Sequence, residues 1–383
     1  MTNTNIEITA LYKEHFGQLV SLLLSRFPAL SIESAEDVVQ DSFVDAAALW
    51  PVQGIPRNQP GWLYIVGKNK AINLLKKLGR NEELSLAVTM PVHMGEIAEH
   101  HLKDAQLQML AACCHPHLPP KVQVVLALKY VANLKVNNIA LQLGVQPDAI
   151  EKMLYRAKQK IKEASLVLSA GRTSDIKERL SVMHKVIYLI FSEGYQHGRQ
   201  LCEEALTLNK DLLDSPLCNT ETKALQALLL FHIARLPALS DADGNPIELE
   251  CQDRSLWNAP MIRLAQQYLA DSEALVFSPY HLEAAIACVH CLASTFDDTN
   301  WAAICTYYEV LLKIYPSPFA EINYATSLLY AGQPEKAYQI LADLQQHVYF
   351  NRSPLLNTAL GKYFELMGKT EEARAYFEAA RKI

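Results

Sequence analysis

The stretch "GVQPDAIEKMLYRAKQKIKEA", Gly144 to Ala164, decides how the rest of the chain is read. Gly144 breaks a preceding helical run, and Gln146 stands where a helix cap is needed. Pro147 takes the first helical position, where a missing amide proton costs nothing. Ahead of it, "KVQVVLALKYVANLKVNNIALQL" (121–143) supplies two more helical runs, broken near Asn133. Helix, Gly-containing turn and a second helix ending in "RAKQKIK" form the pattern of a helix-turn-helix. Any αα-hairpin can imitate that pattern, so the neighbouring segments have to support it.

Working outward, Phe27 to Pro56 contains no base but five acids: Glu33, Glu36, Asp37, Asp41 and Asp45. Ala46 to Asn81 contains no acid but six bases: Arg57, Lys68, Lys70, Lys76, Lys77 and Arg80. A solvated helix face normally mixes signs at i, i+4 spacing, so this segregation points to two different partners. The asymmetry extends over the whole chain, whose formal net charge is −6. Residues 1–165 carry +2 and the remainder −8, which assigns any nucleic-acid partner to the N-terminal portion.

Ser31 or Ser34 can cap a helix through "AEDVVQDSFVDAAALW" (35–50), with acids in its first turns favoured by the helix dipole. Val38, Val39, Phe43, Ala46, Ala47 and Trp50 make an apolar stripe, and Asp37, Gln40, Asp41 and Val44 recur on an adjacent face. "PVQGIPRNQPG" (51–61) is a punctuated loop. The next helix, "WLYIVGKNKAINLLKK" (62–77), turns Trp62, Ile65, Ile72 and Leu75 inward and its lysines outward. From Thr173 the chain reads as helical hairpins. "INYATSLLYAGQPEKAYQIL" (322–341) repeats as "LGKYFELMGKTEEARAYFEAA" (360–380), aligning Gly332 with Gly368 and Ala337 with Ala373. That period of 36 fits a tetratricopeptide-type pair.

With 383 residues, half of them hydrophobic and a fifth charged, two or three folded domains are expected. No run of 18 apolar residues exists, and "MTNTNIEITALYKEH" (1–15) lacks a basic start and apolar core. The expectation is a cytoplasmic protein with no membrane partner. The eight cysteines read as reduced and structural. "CCHPH" (113–117) and "CVHC" (288–291) lack a second ligand pair at zinc spacing, so no metal is expected. "DADGNPIE" (241–248) places Pro246 at the sixth position, where a calcium loop needs Gly, and reads as an Asp-rich turn. "QDRSLW" (252–257) either buttresses the fold or binds a ligand. No Ser/His/Asp or Cys/His set has a supporting context, so neither an enzyme nor a cofactor is expected.

An acidic amphipathic helix, a basic helix bearing Trp62 and Tyr64, and a helix-turn-helix follow one another in this order. The order resembles the extracytoplasmic-function sigma factors, the promoter-specificity subunits of bacterial RNA polymerase. The resemblance rests on residues 35–50, on "GWLYIVGKNKAINLLKK" (61–77) and on "IALQLGVQPDAIEKMLYRAKQKI" (139–161). "CCHPHLPP", "YLIFSEGY", "DADGNPIELECQDRSLW" and "NWAAICTYYEVLLKIYPSP" resemble the subgroup with a long tetratricopeptide-like extension, so the likeness covers nearly the whole chain.

The resemblance implies an all-α architecture with sigma region 2 at 1–80, a linker at 81–102, sigma region 4 at 103–168 and the extension at 173–383. It implies core polymerase docking by Asp37, Gln40, Asp41 and Val44. Carboxylates at that spacing suit an Arg-rich partner helix. Melting and reading of the proximal promoter element is implied for Arg57, Asn58, Trp62, Lys68, Asn69, Lys70, Asn73, Lys76 and Lys77. Separated bases need stacking surfaces and cations. The distal element falls to Gln146, Asp148, Glu151, Lys152, Tyr155, Arg156 and Lys158. Where the family commonly carries Arg this chain has Met153, which removes a guanine contact worth about 1–3 kcal/mol of discrimination. The remaining cations suit phosphates, so an altered or weaker code is expected. The acidic extension is expected to regulate the rest through a ligand or protein partner. The alternative is a free-standing helix-turn-helix regulator with a tetratricopeptide-type sensor.

Overall fold

The computed structural model describes residues 3–27, 29–79, 99–163, 178–197, 199–241, 247–346 and 353–381. Among the described residues every regular element is a helix, with no extended strand, and the architecture is all-α. Two compact units part at Met1–Cys218 and Asn219–Ile383.

The first unit runs through α1 (Asn3–Arg26), α2 (Ile32–Gln53), α3 (Gln59–Lys77), α4 (Glu99–Cys113) and α5 (Pro120–Tyr130). It continues with α6 (Val136–Gln142), α7 (Pro147–Glu163), α8 (Leu180–His197) and α9 (Arg199–Leu213). Helices α1, α2 and α3 pack on one another, and α1 also lies against α4. Leu19, Leu23, Phe27, Leu63 and Leu75 are fully buried in the first of these clusters, and each such side chain contributes about 1.5–3 kcal/mol.

The two breaks expected around the helix-turn-helix coincide with Asn133 (φ 49°) and Gly144 (φ 61°). After α6 the Val145 amide donates to Ala140 O (3.0 Å) and the Gly144 amide to Leu141 O (3.2 Å). This crossed pair requires the left-handed conformation that glycine adopts without a Cβ penalty. Ile139, Ala140, Ile150 and Ala157 then lock α6 and α7 together on their buried sides.

Two expected boundaries shift. Residues 81–98 of the 81–102 linker lie outside the described residues, and from Glu99 the chain is already helical in α4. The extension expected from 173 does not separate there. Helices α8 and α9 belong to the first unit, because α8 packs on α5 and α9 on α4. Arg179, 5% exposed, donates to Ala111 O at 2.8 Å just ahead of α8. Apolar faces on α8 and α9 need a partner, and α4 and α5 supply it.

The second unit contains α10 (Thr220–Arg235), α11 (Ala259–Ala270), α12 (Pro279–Leu292), α13 (Trp301–Ile314), α14 (Pro318–Tyr330), α15 (Pro334–Gln345), α16 (Pro354–Leu366) and α17 (Thr370–Arg381). The pairs α14–α15 and α16–α17 reproduce each other. Gly332 (φ 74°) and Gly368 (φ 72°) close the two turns, and Ala337 and Ala373 are buried at matching positions. Residues 242–246 of the Asp-rich turn lie outside the described residues.

Candidate nucleic-acid interface

Helix α2 starts at Ser31, whose hydroxyl accepts from the Ser34 amide at 3.2 Å. Ile32, Ala35, Val38, Val39, Ser42, Phe43, Ala46 and Trp50 face inward. Asp37, Gln40, Asp41 and Val44 are all exposed, at i, i+3, i+4 and i+7, so the fold gathers them on one outward face. Ala47, expected in the apolar stripe, is exposed instead. It falls three residues after Val44 and seven after Gln40, on their side of the helix. Asp45 turns toward α3 and pairs with Lys70 at 2.9 Å.

On α3 the inward face consists of Gly61, Leu63, Tyr64, Gly67, Ala71 and Leu75. Of the four residues expected inside, Leu75 is buried while Trp62, Ile65 and Ile72 are half-buried. Tyr64, 3% exposed, is core and cannot stack on a base. Trp62 packs edge-on against Trp50 with centroids 5.4 Å apart, which fixes its ring at the surface of the unit. Trp62, Asn69, Asn73 and Lys76 recur at helical spacing as one stripe, its last three members exposed. Lys77 and Arg57 are exposed as well. Asn58 is engaged as the cap of α3, accepting from the Gly61 amide at 2.9 Å. Lys68 is half-buried, off the stripe. Lys70, held by Asp45, is not a free phosphate contact.

Helix α7 buries Ile150, Leu154 and Ala157 and exposes Asp148, Glu151, Lys152, Tyr155 and Arg156, with Gln146 exposed just ahead of it. Lys158 departs from this set. Its ammonium lies 3.4 Å from Glu33 and 3.5 Å from Glu36 of α2, and 5.7 Å from the centroid of the Tyr130 ring. Burial raises the Glu36 carboxyl, and Lys158 and Lys129 oppose that rise. Lys160 donates to His117 O at 2.8 Å.

Two polar connections tie α8 and α9 to this surface. The carboxylate of Glu193, 2% exposed, accepts from the Asn138 amide at 2.6 Å and from Gln142 at 2.8 Å. Gln142 also donates to Leu189 O at 3.0 Å. The first helix of the helix-turn-helix is thereby fastened to α8. Gln106 of α4 donates to Glu204 of α9 at 2.5 Å and accepts from Gln18 of α1 at 3.2 Å. Burial pushes the Glu204 carboxyl up to about 7. Sequence reasoning missed both connections. A lone acid inside the apolar run "VIYLIFSEGY" (186–195) signals a buried carboxylate, but not its partners.

Elsewhere the chemistry is structural. Cys113 and Cys114 are buried, and burial pushes the Cys114 thiol up to about 12. Among the described residues no three His, Cys, Asp or Glu side chains come together as a metal site. In the second unit, Nη1 of Arg254 donates to His290 O and Ala293 O, both at 2.7 Å. Its guanidinium stacks 4.6 Å from the Trp257 centroid, with Arg235 at 5.0 Å. The "QDRSLW" segment therefore buttresses the end of α12.

The protein R00370 of Rhizobium meliloti (strain 1021), described as uncharacterized, is 32% identical over 382 residues, covering 95% of this chain and 88% of that one. The chain belongs to the family of that protein. Within it, residues 108–161, from α4 to near the end of α7, match the family described as Sigma-70, region 4. The helix-turn-helix is thus part of a sigma-70 region 4 domain. Residues 179–273 match a family of unknown function, DUF6596, which begins at α8 in the first unit and extends into the second. The probable ECF RNA polymerase sigma factor SigI of Mycobacterium tuberculosis is 22% identical over 197 residues, 50% of this chain and 63% of that protein. No solved structure matches the chain. No helix among the described residues is long and apolar enough to cross a membrane.

Proposed function

We propose that the chain is an alternative sigma factor that directs bacterial core RNA polymerase to specific promoters. The supporting observation is the outward quartet Asp37, Gln40, Asp41 and Val44 on α2, in a chain whose sigma region 4 domain exposes Asp148, Glu151, Lys152, Tyr155 and Arg156 on α7. A solvated carboxylate face flanked by the exposed apolar side chains of Val44 and Ala47 suits an Arg-rich helix of the polymerase. The α3 stripe of Trp62, Asn69, Asn73 and Lys76, with Arg57 and Lys77, takes the melted proximal element. Gln146, Asp148, Glu151, Lys152, Tyr155 and Arg156 take the distal one. With Met153 where an arginine would read guanine, Lys152 and Arg156 act chiefly on phosphates.

The tetratricopeptide-like second unit regulates this activity through a ligand or protein partner, and the protein works in the cytoplasm beside polymerase. The repeated α14–α15 and α16–α17 pairs support that reading, since stacked pairs present binding surfaces. Reversal of Asp37 and Asp41 to Lys tests the sigma role. Affinity for sigma-free core polymerase should fall about tenfold or more, with the helical content of the chain retained and its DNA binding not lost. Undiminished polymerase binding would favour a free-standing helix-turn-helix regulator instead.

A further inference from the structure

Lys158 stands at the edge of the exposed α7 face, in helical register with Glu151 and Tyr155, yet it points its charge at α2. Its side chain is 25% exposed, against 50% for Glu33 and 20% for Glu36. Two carboxylates thus hold one ammonium at the border of the surface assigned to DNA. Glu33 and Glu36 also adjoin Asp37, the first residue of the outward quartet on α2. One cluster therefore touches both candidate surfaces, and a lysine cannot neutralise a DNA phosphate while it neutralises these acids.

We propose that this cluster is an autoinhibitory contact: Glu33 and Glu36 occupy Lys158 in place of DNA phosphate, and polymerase seated on the neighbouring acids of α2 releases it. The inference rests on the sigma reading above. An arginine-bearing partner competes well for the α2 carboxylates, because a guanidinium forks onto a carboxylate where an ammonium acts as a point charge. Release of Lys158 then adds one phosphate contact to α7. By linkage the effect is reciprocal: DNA that captures Lys158 leaves the α2 acids unpaired and favours a basic partner there. Lys70 is likewise paired with an acid of α2, the single carboxylate of Asp45.

The test uses the full chain and a mixed-sequence DNA duplex, without polymerase, over a series of salt concentrations. Freed from Glu33 and Glu36, Lys158 should raise DNA affinity about fivefold, the effect of a partly exposed ion cluster. It should also steepen the slope of log affinity against log salt by about one unit, the signature of one further phosphate contact. The variant is Glu33→Gln with Glu36→Gln, which keeps side-chain volume. Adding Lys158→Gln should abolish both gains. Gains that persist in the triple variant would be an effect of net charge and would overturn the contact. Affinity and slope unchanged by the two Glu→Gln substitutions would overturn it as well, while leaving the sigma reading intact. Absence of salt-dependent DNA binding in every variant, even with polymerase present, would overturn the sigma reading and this contact together.

Discussion

Glu193 accepts a 2.8 Å hydrogen bond from Gln142, joining α8 to the first helix of the helix-turn-helix across 51 residues of sequence. With Asn138 as a second donor, the buried carboxylate is satisfied only while α8 stays seated. Glu193→Ala should destabilise the first unit by about 2–4 kcal/mol, since it strands two amide donors and leaves a void. Urea denaturation followed by circular dichroism measures this, with Glu193→Gln predicted to fall between the two. For the same reason, truncation after Glu163 should not yield a well-behaved fragment. It strips α8 and α9 from α4 and α5, and binding of a hydrophobic dye should report the exposed surface.

Lys152 and Arg156 are exposed cations on α7. Each, changed to Ala, should flatten the salt dependence of DNA binding by about one unit while changing sequence preference little. Glu151→Gln should raise affinity for every sequence if Glu151 only repels phosphate. A loss confined to sites with cytosine at one position would show that it reads that base.

Glu204 titrates near 7 because burial disfavours its charged form. Below the ordinary carboxyl range both folded and unfolded chains hold the proton, and the group contributes nothing. As pH rises from about 4.5 to 7 the unfolded chain ionises first. Stability should therefore fall by ~2–3 kcal/mol across that window. Glu204→Gln should remove this slope, be more stable than the parent at pH 8, and still accept from Gln106. Thermal melts at a series of pH values provide the comparison.

Arg254→Lys tests the second unit. Lysine cannot span two carbonyls and stack on Trp257 at once. The expected cost is about 1–3 kcal/mol, seen as a lower melting temperature with the first unit unaffected. An unchanged melt would show that the end of α12 needs no such support.

Local patterns carried most of the helices. Gly144 and Pro147 mark the turn and start of α7 because their constraints act within one or two residues. The period of 36 announced the α14–α17 pairs because each repeat is built from the same short-range contacts. The outward placement of Asp37, Gln40, Asp41 and Val44 was legible for a related reason: helical periodicity fixes which residues share a face. Where a stripe was drawn too wide, at Ala47, or residues expected inside stay half-buried, at Ile65 and Ile72, the sequence held apolar residues on more than one side of the helix. Which side wins is set by the neighbour that covers it.

By itself the sequence determined the all-α class, the helix-turn-helix, the terminal repeat and the charge asymmetry, each a matter of composition or of spacing within a few turns. Only the tertiary structure decided that α8 and α9 close the first unit, that Glu193 serves Asn138 and Gln142, and that Lys158 is held by Glu33 and Glu36. Those partners lie 51 to 125 residues apart in the chain. Attraction between charges or amides at such separations exists only once packing brings the helices together, and no local preference encodes it.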